Sequence, residues 1–134
     1  SADEGKAVNI GAAKRFFMSP LAERIFASDN VMREKKFAAL FPAKFFYPEL
    51  TGEAAEEKIV VQGIADWVFA AEDGKLVIVD YKTDTGVDAE ALLDRYSAQL
   101  GIYREALSQA LGMPVKETLL YSFFMNSTVK VGTV

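Results

Sequence analysis

Apolar residues recur at helical spacing near the start of the chain. Between Val8 and Ala27 they fall three to four residues apart, and Ser19-Pro20 interrupts the series. Proline is favoured in the first turn of a helix, and serine is a favoured N-cap. The pattern therefore predicts two short helices, the second of which is capped by Ser19.

Two apolar runs follow, and Pro42 separates them. The first extends from Val31 to Phe41 and the second from Phe45 to Tyr47. This arrangement predicts an extended strand, a break and a second extended segment up to residue 48. The stretch from residue 49 to residue 57 is rich in Gly, Thr and Glu, and it predicts a polar loop or a short turn.

Two segments dense in Val, Ile, Phe and Trp come next, Lys58 to Ala70 and Lys75 to Lys82. Glu72-Asp73-Gly74 lies between them, and an Asp-Gly pair between β-branched runs is a strong hairpin signal. The lack of polar alternation predicts that both faces of both strands are covered. We expect these strands to lie at the centre of the sheet.

The last third of the chain predicts one long helix and two strands. Asp88 is a suitable N-cap, and Gly112 and Pro114 end the helix in the expected order. The apolar stripe of this helix comprises Leu92, Tyr96, Leu100, Tyr103, Leu107 and Leu111. Strands are expected from residue 117 to 125 and from 129 to 133, around a turn at Asn126-Ser127. The predicted fold class is α/β, a small mixed β-sheet with a central antiparallel hairpin flanked by helices on both faces.

Composition limits the kind of site that this chain can carry. Its 134 residues are 51% hydrophobic and 25% charged, which suits one soluble globular domain over residues 1–134. Because cysteine and histidine are both absent, disulfides, thiolate zinc sites, Cys-His pairs and Ser-His-Asp triads are excluded. A bound metal must therefore be held mainly by oxygen.

The ends and the hydropathy of the chain suggest its setting. It begins with Ser1 and not with methionine, which we interpret as a fragment cut from a longer protein. No apolar run approaches the roughly 18 residues that span a bilayer, and no signal-peptide pattern opens the chain. We therefore expect no membrane partner and, by default, a cytoplasmic location.

The net charge of −4 argues against a free-standing protein that grips nucleic acid by neutralising phosphates. The imbalance is uneven: residues 1–48 hold eight Lys or Arg against five Asp or Glu, whereas residues 49–134 hold seven against fourteen. If DNA is the substrate, the grip must come from the N-terminal part or from a neighbouring domain.

Three charged residues interrupt the apolar strands of the predicted hairpin: Asp66, Asp80 and Lys82. If Glu72-Asp73-Gly74 forms a three-residue loop with a bulge at Gly74, residues whose numbers add to 146 face one another. Asp66 then faces Asp80, and Lys82 projects from the same side of the sheet. With a two-residue turn the sum becomes 147, and Asp66 falls on the face away from Asp80.

Two carboxylates and a lysine on one face suit metal-assisted phosphodiester hydrolysis. Mg²⁺ takes oxygen ligands, usually one or two carboxylates with water and substrate phosphate. Gln99 and Tyr103 are one helical turn apart on the long helix and could reach this site. The alternative interpretation is a salt-bridged cluster at the strand ends, and Glu34, which lies between Arg33 and Lys35, is equally consistent with solvated strand charge.

The ordered set of these residues resembles the RecB-type branch of the PD-(D/E)XK nucleases, in particular the AddA-type nuclease domains of bacterial helicase-nucleases. The resemblance covers nearly the whole chain, and it rests on Gly63-x-x-Asp66, Asp80-Tyr81-Lys82-Thr83-Asp84, Gln99-x-x-x-Tyr103 and the segments at residues 16–24 and 33–37. It implies a restriction-endonuclease-like fold.

The resemblance also implies roles. Asp66 and Asp80 would be ligands of Mg²⁺, or of Mn²⁺, with the Tyr81 carbonyl a third ligand, and Lys82 would be the catalytic lysine. Glu34, Gln99 and Tyr103 match further active-site positions. The implied activity is that of a DNA exonuclease in an ATP-dependent helicase-nuclease, acting on single strands delivered by the helicase motor. Its implied setting is double-strand break processing and recombinational repair, with a partner helicase-nuclease subunit.

One departure leaves two function classes open. RecB-type nucleases usually add a metal-binding histidine from a preceding helix, and this chain has none. Either that helix lies before Ser1 or the site is incomplete. The alternative function is therefore a catalytically inactive nuclease-fold module that binds DNA or a partner subunit. The iron-sulfur relatives are disfavoured by the absence of cysteine.

Overall fold

Five strands form one mixed sheet in the computed structural model, which describes residues 10–132. In chain order they are β1 (Val31–Pro42), β2 (Lys58–Ala70), β3 (Leu76–Lys82), β4 (Val115–Ser122) and β5 (Ser127–Val131). The spatial order is the same, and only β3 and β4 are parallel. Parallel neighbours need a crossover connection, and the long helix between β3 and β4 supplies it. The predicted mixed sheet with a central hairpin is confirmed.

Four α-helices accompany the sheet in the described residues: α1 (Ile10–Phe17), α2 (Pro20–Ala27), α3 (Gly52–Glu56) and α4 (Ala89–Leu111). The predicted caps are confirmed, since the Ser19 side chain accepts from the Ala22 N–H and the Asp88 side chain accepts from the Ala91 N–H. Gly112 ends α4 in the left-handed conformation, at φ 65°. The predicted start of the first helix at Val8 lies outside the described residues.

The hairpin of β2 and β3 has the predicted register. Its pairs run from Ala70 opposite Leu76 to Trp67 opposite Val79, so paired residue numbers add to 146. Gly74 has φ 82°, and the loop closes with hydrogen bonds from Gly74 N to Ala71 O at 2.9 Å and from Ala71 N to Lys75 O at 2.8 Å. The three-residue loop with a left-handed glycine is therefore present, and the two-residue alternative is wrong.

Helices cover both faces of the sheet, as predicted. On one face, Val77 and Val79 of β3 pack with Phe16 of α1 and Ile25 of α2. On the other face, Leu76 and Ile78 pack with Ala106 and Leu107 of α4. Residues at even positions of β3 therefore face α4. No helix of the described residues is long and apolar enough to cross a membrane.

The prediction of a second extended segment after Pro42 is wrong. β1 continues through Pro42, and a short 3₁₀ helix follows at Ala43–Phe45. The N–H groups of Phe46 and Tyr47 both donate to the Ala43 carbonyl at 3.0 Å, so local turn bonds replace strand pairing. The loop expected at residues 49–57 contains the five-residue helix α3.

The expectation that both faces of β2 are covered is wrong for its first half. Val60 and Ile64 are 58% and 49% exposed. This half pairs with β1 alone, because β3 is only seven residues long and ends beside the second half of β2. The last two strands also start and end earlier than predicted, with the turn at residues 123–126, and residue 133 lies outside the described residues.

Candidate active site at the end of the central hairpin

Asp80 and Lys82 continue the face of β3 that packs under α4. They follow Leu76 and Ile78 at even positions, and they are only 8% and 7% exposed. The Tyr81 side chain lies on the opposite face, where its hydroxyl accepts the indole N–H of Trp67. Tyr81 can therefore serve this site only through its backbone. Charged groups buried this deeply need partners of opposite charge or hydrogen bonds.

Asp66 takes the position at which the hairpin ladder ends. The last backbone pair is Trp67 with Val79, and beyond it the Asp66 carboxylate accepts the Tyr81 N–H at 2.7 Å. Burial, together with the charge of Asp80 and a hydrogen bond with Asp80, raises the pKa of Asp66 to about 6, although the bond from the Tyr81 N–H opposes the shift. The two carboxyl groups therefore lie together on one face, as the register predicts.

Lys82 holds its ammonium between an acid and an aromatic ring. Its Nζ lies 2.9 Å from Oδ2 of Asp80 and 4.0 Å from the ring centroid of Tyr96, which comes from α4. An ammonium over a ring face is attracted by the ring quadrupole, and the attraction grows when water is excluded. Both side chains of the ion pair are nearly buried, so Lys82 has little room to leave this position.

Tyr96, Asp84 and Arg95 were missed as site residues by the sequence analysis. The Tyr96 hydroxyl donates to the Asp84 carboxylate, 2.8 Å from Oδ2 and 3.0 Å from Oδ1, and Arg95 donates to Oδ2 at 2.8 Å. Partial burial raises the pKa of Asp84, but these bonds outweigh it and hold that pKa below its usual range. The available signal was the position of Asp84, two residues after Lys82. Tyr96 was counted only as part of the apolar stripe.

Tyr103, which is hydrogen-bonded to Gln99, meets the sheet at Gly63, three residues before Asp66. The Gln99 amide donates to the Tyr103 hydroxyl at 3.4 Å, and the Tyr103 ring packs edge-on against Phe37 with centroids 5.0 Å apart. A Cβ on Gly63 would lie 2.8 Å from the Tyr103 ring, so only glycine leaves room for this contact. The glycine of the Gly-x-x-Asp motif thus lets α4 approach β2.

Glu34 lies opposite Asp66 in the β1–β2 ladder, because the residues that flank Glu34 pair with the residues that flank Asp66. Glu34 has φ 50°, which residues other than glycine rarely adopt. Met32 and Phe37 on either side belong to the same core although they are an odd number of residues apart, so the strand reverses its alternation here. The Glu34 side chain is exposed. The backbone of Glu34 is therefore strained, and it lies beside Asp66.

The donor set of this site fits a hard divalent cation. The carboxylates of Asp66 and Asp80 lie together, and the strand geometry directs the Tyr81 carbonyl to the same edge as its N–H, which Asp66 accepts. No group of three potential His, Cys, Asp or Glu ligands occurs in residues 10–132. Two carboxylates completed by water and substrate phosphate are nevertheless a usual set for Mg²⁺. A cation there would offset the burial and the neighbouring charge of Asp80, which raise the pKa of Asp66.

Solved structures share this fold. The chain superposes on a structure titled "Crystal structure of SSO0001" with a TM-score of 0.55 and 14% sequence identity, over 92% of this chain and 50% of that one. At this identity the likeness concerns the fold alone. It agrees with the restriction-endonuclease-like architecture that the resemblance implies.

Sequence comparisons extend over nearly the whole chain. It is 38% identical over 130 residues to an ATP-dependent helicase/nuclease subunit of Clostridium botulinum, and 37% identical over 136 residues to the corresponding protein of Clostridium perfringens. These matches cover 96% of this chain but 10% and 11% of those proteins, so the chain spans about a tenth of their length. A family model described as the PD-(D/E)XK nuclease superfamily matches residues 7–132. The chain therefore belongs to the PD-(D/E)XK nuclease superfamily.

Proposed function

We propose that this chain is a divalent-metal-dependent deoxyribonuclease, the exonuclease domain of an ATP-dependent helicase-nuclease that processes double-strand breaks for recombinational repair. The observation that carries the proposal is the convergence of Asp66, Asp80 and Lys82 on one nearly buried face of the hairpin. Membership of a nuclease superfamily and likeness to helicase/nuclease subunits support it. The chain corresponds to one domain of such a subunit.

In this proposal Asp66, Asp80 and the Tyr81 carbonyl hold Mg²⁺, or Mn²⁺ in its place. The cation, when bound, supplies Lewis acidity to the phosphoryl group and lowers the pKa of water. Hydrolysis forms a bond between water oxygen and phosphorus and breaks one ester P–O bond. Lys82 is paired with Asp80, and its ammonium orients the attacking water and offsets the negative charge that develops at phosphorus.

In this proposal Gln99 and Tyr103 contact the DNA strand that is cleaved, and Glu34 lies near the metal ligands. Gln99 and Tyr103 present an amide and a hydroxyl beside Gly63, where they can donate to DNA phosphates. Glu34 lies across the ladder from Asp66, close to the metal ligands. The net charge of −4 gives the domain little affinity for DNA of its own, so we propose that the helicase motor delivers single strands and that a partner subunit completes the complex.

The test is cleavage of an end-labelled single-stranded oligonucleotide in Mg²⁺, in Mn²⁺ and in excess chelator. We expect degradation in either metal and none in chelator. Asp80→Asn, which keeps the size of the side chain, should lower the rate at least about 100-fold. Asp94→Asn is the matched control, because Asp94 is an exposed aspartate on α4, and its rate should equal that of the wild type.

The second candidate function, a nuclease-fold module that only binds DNA or a partner subunit, makes a different prediction. The observation that favours it is the absence of a third acidic or histidine ligand in the described part of the chain. Oligonucleotide binding without cleavage in either metal, equal in the wild type and Asp80→Asn, would establish this function and refute the nuclease.

A further inference from the structure

A buried lysine is held in place at this site by a group that the nuclease motif does not contain. Lys82 is 7% exposed, and its Nζ lies 2.9 Å from Asp80 and 4.0 Å from the centre of the Tyr96 ring. Asp80 alone would allow the ammonium to swing about one carboxylate oxygen. The ring of Tyr96 also contacts the ammonium, and this second contact limits that movement.

The Tyr96 ring is itself anchored at its far end. Its hydroxyl donates to both oxygens of Asp84, and Arg95 donates to the same carboxylate at 2.8 Å. Asp84 belongs to the segment that links β3 to α4, only two residues after Lys82. This segment and the start of α4 are thus tied together around the lysine. A phenol that donates to a carboxylate also has a more electron-rich ring, which strengthens its attraction for a cation.

We infer that Tyr96, anchored by Asp84, is a positioning residue that fixes the ammonium of Lys82 for phosphodiester hydrolysis. The inference rests on the proposed function. Tyr96 acts through Lys82 and not on DNA, so its loss should affect the chemical step more than the binding of substrate. A displacement of a catalytic group by about 1 Å can reduce a rate about 100-fold.

The test compares Tyr96→Leu, which removes the ring, with Tyr96→Phe, which keeps the ring and removes the anchor. We expect Tyr96→Leu to lower kcat for single-stranded DNA in Mg²⁺ at least about tenfold, with KM changed less than about threefold. Tyr96→Phe should recover most of that loss. Tyr47→Leu, at an exposed tyrosine before α3, is the matched control, and its kcat should not change.

A double-mutant cycle separates positioning from a general structural role. In a Lys82→Ala background, Tyr96→Leu should cause no further loss of kcat, because the group that Tyr96 positions is gone. Additive losses of kcat in this cycle would overturn the inference.

A second measurement does not depend on activity. An ammonium side chain over a ring face has its ε-methylene protons shifted upfield by the ring current, so the Lys82 signal in a ¹H–¹³C spectrum reports the contact. We expect the full upfield shift in the wild type, a partly reduced shift in Tyr96→Phe, which keeps the ring without its anchor, and loss of the shift in Tyr96→Leu. Asp84→Asn, which weakens the anchor but leaves the Tyr96 side chain unchanged, should also reduce the shift in part.

The outcomes distinguish the two proposals. Loss of the shift in Tyr96→Leu, with no cleavage by the wild type, would refute the nuclease and leave the placement of Lys82 intact. Cleavage by the wild type, with both kcat and the Lys82 shift unchanged in Tyr96→Leu, would refute the positioning role alone. If Tyr96→Leu fails to fold, the shifts of Tyr96→Phe and Asp84→Asn decide: a Lys82 shift equal to that of the wild type in both variants overturns the inference that Asp84 anchors Tyr96.

Discussion

Two aspartates near the end of β3, Asp66 on the neighbouring strand β2 and Asp84 in the segment after β3, have opposite electrostatic surroundings. Burial and the charge of Asp80 raise the pKa of Asp66. Asp84 is also partly buried, but the bonds from Tyr96 and Arg95 lower its pKa. Asp84 accepts bonds from two side chains, whereas Asp66 accepts the Tyr81 N–H, lies beside another carboxylate and therefore gains most from a cation. This contrast supports our proposal that Asp66 is a metal ligand, whereas Asp84 supports the fold.

At the residue scale we predict that both acidic residues of the pair are needed to bind metal. Titration calorimetry with Mg²⁺ or Mn²⁺ should show binding to the wild type and a loss of at least about 100-fold in affinity in Asp66→Ala and in Asp80→Ala. The control is Asp73→Ala, at an exposed aspartate in the turn of the same hairpin. Unchanged binding in both site variants would contradict the ligand assignment.

At the scale of elements, α4 is held against the sheet at several points, one of which lies near the site. Tyr103 lies against Gly63 of β2, and Arg104 donates to the Val115 carbonyl at 2.6 Å. The Gln109 amide satisfies both the N–H and the carbonyl of Leu40, each at 3.2 Å. Since β1 is an edge strand, this last contact blocks part of its free edge against pairing with another chain.

We predict that Gly63→Ala lowers the free energy of unfolding by about 1 to 3 kcal/mol, because the new methyl group would overlap the Tyr103 and Phe37 rings. Urea unfolding measures the change. Gly101→Ala is the matched control: Gly101 lies on α4 with nothing within 4 Å of its Cβ position, so alanine should stabilise the helix by up to about 1 kcal/mol.

A test of the cause uses the Tyr103→Ala background. There the cost of Gly63→Ala should fall, since one of the two rings that obstruct the methyl group is removed. An equal cost in both backgrounds would mean that the methyl group acts on the Phe37 ring or on the strand itself, and not on the contact with α4.

At the scale of the whole molecule, the acidic pair links stability to pH and to metal. The folded state raises the pKa of Asp66 from 3.8 to about 6. Asp66 therefore contributes to the stability of the folded state below pH 3.8. This contribution is lost as the pH rises through about 6, because folding disfavours the ionised form of the carboxyl group. The carboxylates whose pKa values are lowered, such as Asp84 and Glu117, act in the opposite sense and at lower pH.

We predict that, in chelator, the wild type loses unfolding temperature relative to the Asp66→Asn variant as the pH is raised from about 4 to about 6. Mg²⁺ should restore stability above pH 6 and have little effect at pH 5, because the affinity of the site falls about tenfold for each pH unit below the pKa of Asp66. Thermal unfolding followed by fluorescence gives both curves. Equal stabilisation by Mg²⁺ at pH 5 and pH 7.5 would contradict this linkage.

Local signals account for most of what could be predicted. Ser19, Asp88 and Gly112 mark helix ends because caps act through bonds to residues three or four positions away. The three residues of the hairpin loop set the register, and the register brings Asp66 to Asp80. The two acids and Lys82 could therefore be placed on one face from the sequence alone.

The features of the fold and the site that could not be predicted depend on long-range packing. The contact of Lys82 with Tyr96 depends on where α4 crosses the sheet, and the covering of β2 depends on the length of its neighbour β3. The reversal of alternation at Glu34 requires two strands to change together. The sequence by itself determined the caps, the hairpin register and the acidic pair, because each follows from residues close along the chain. Only the tertiary structure decided how the lysine is held, since that contact joins elements whose mutual placement no local pattern encodes.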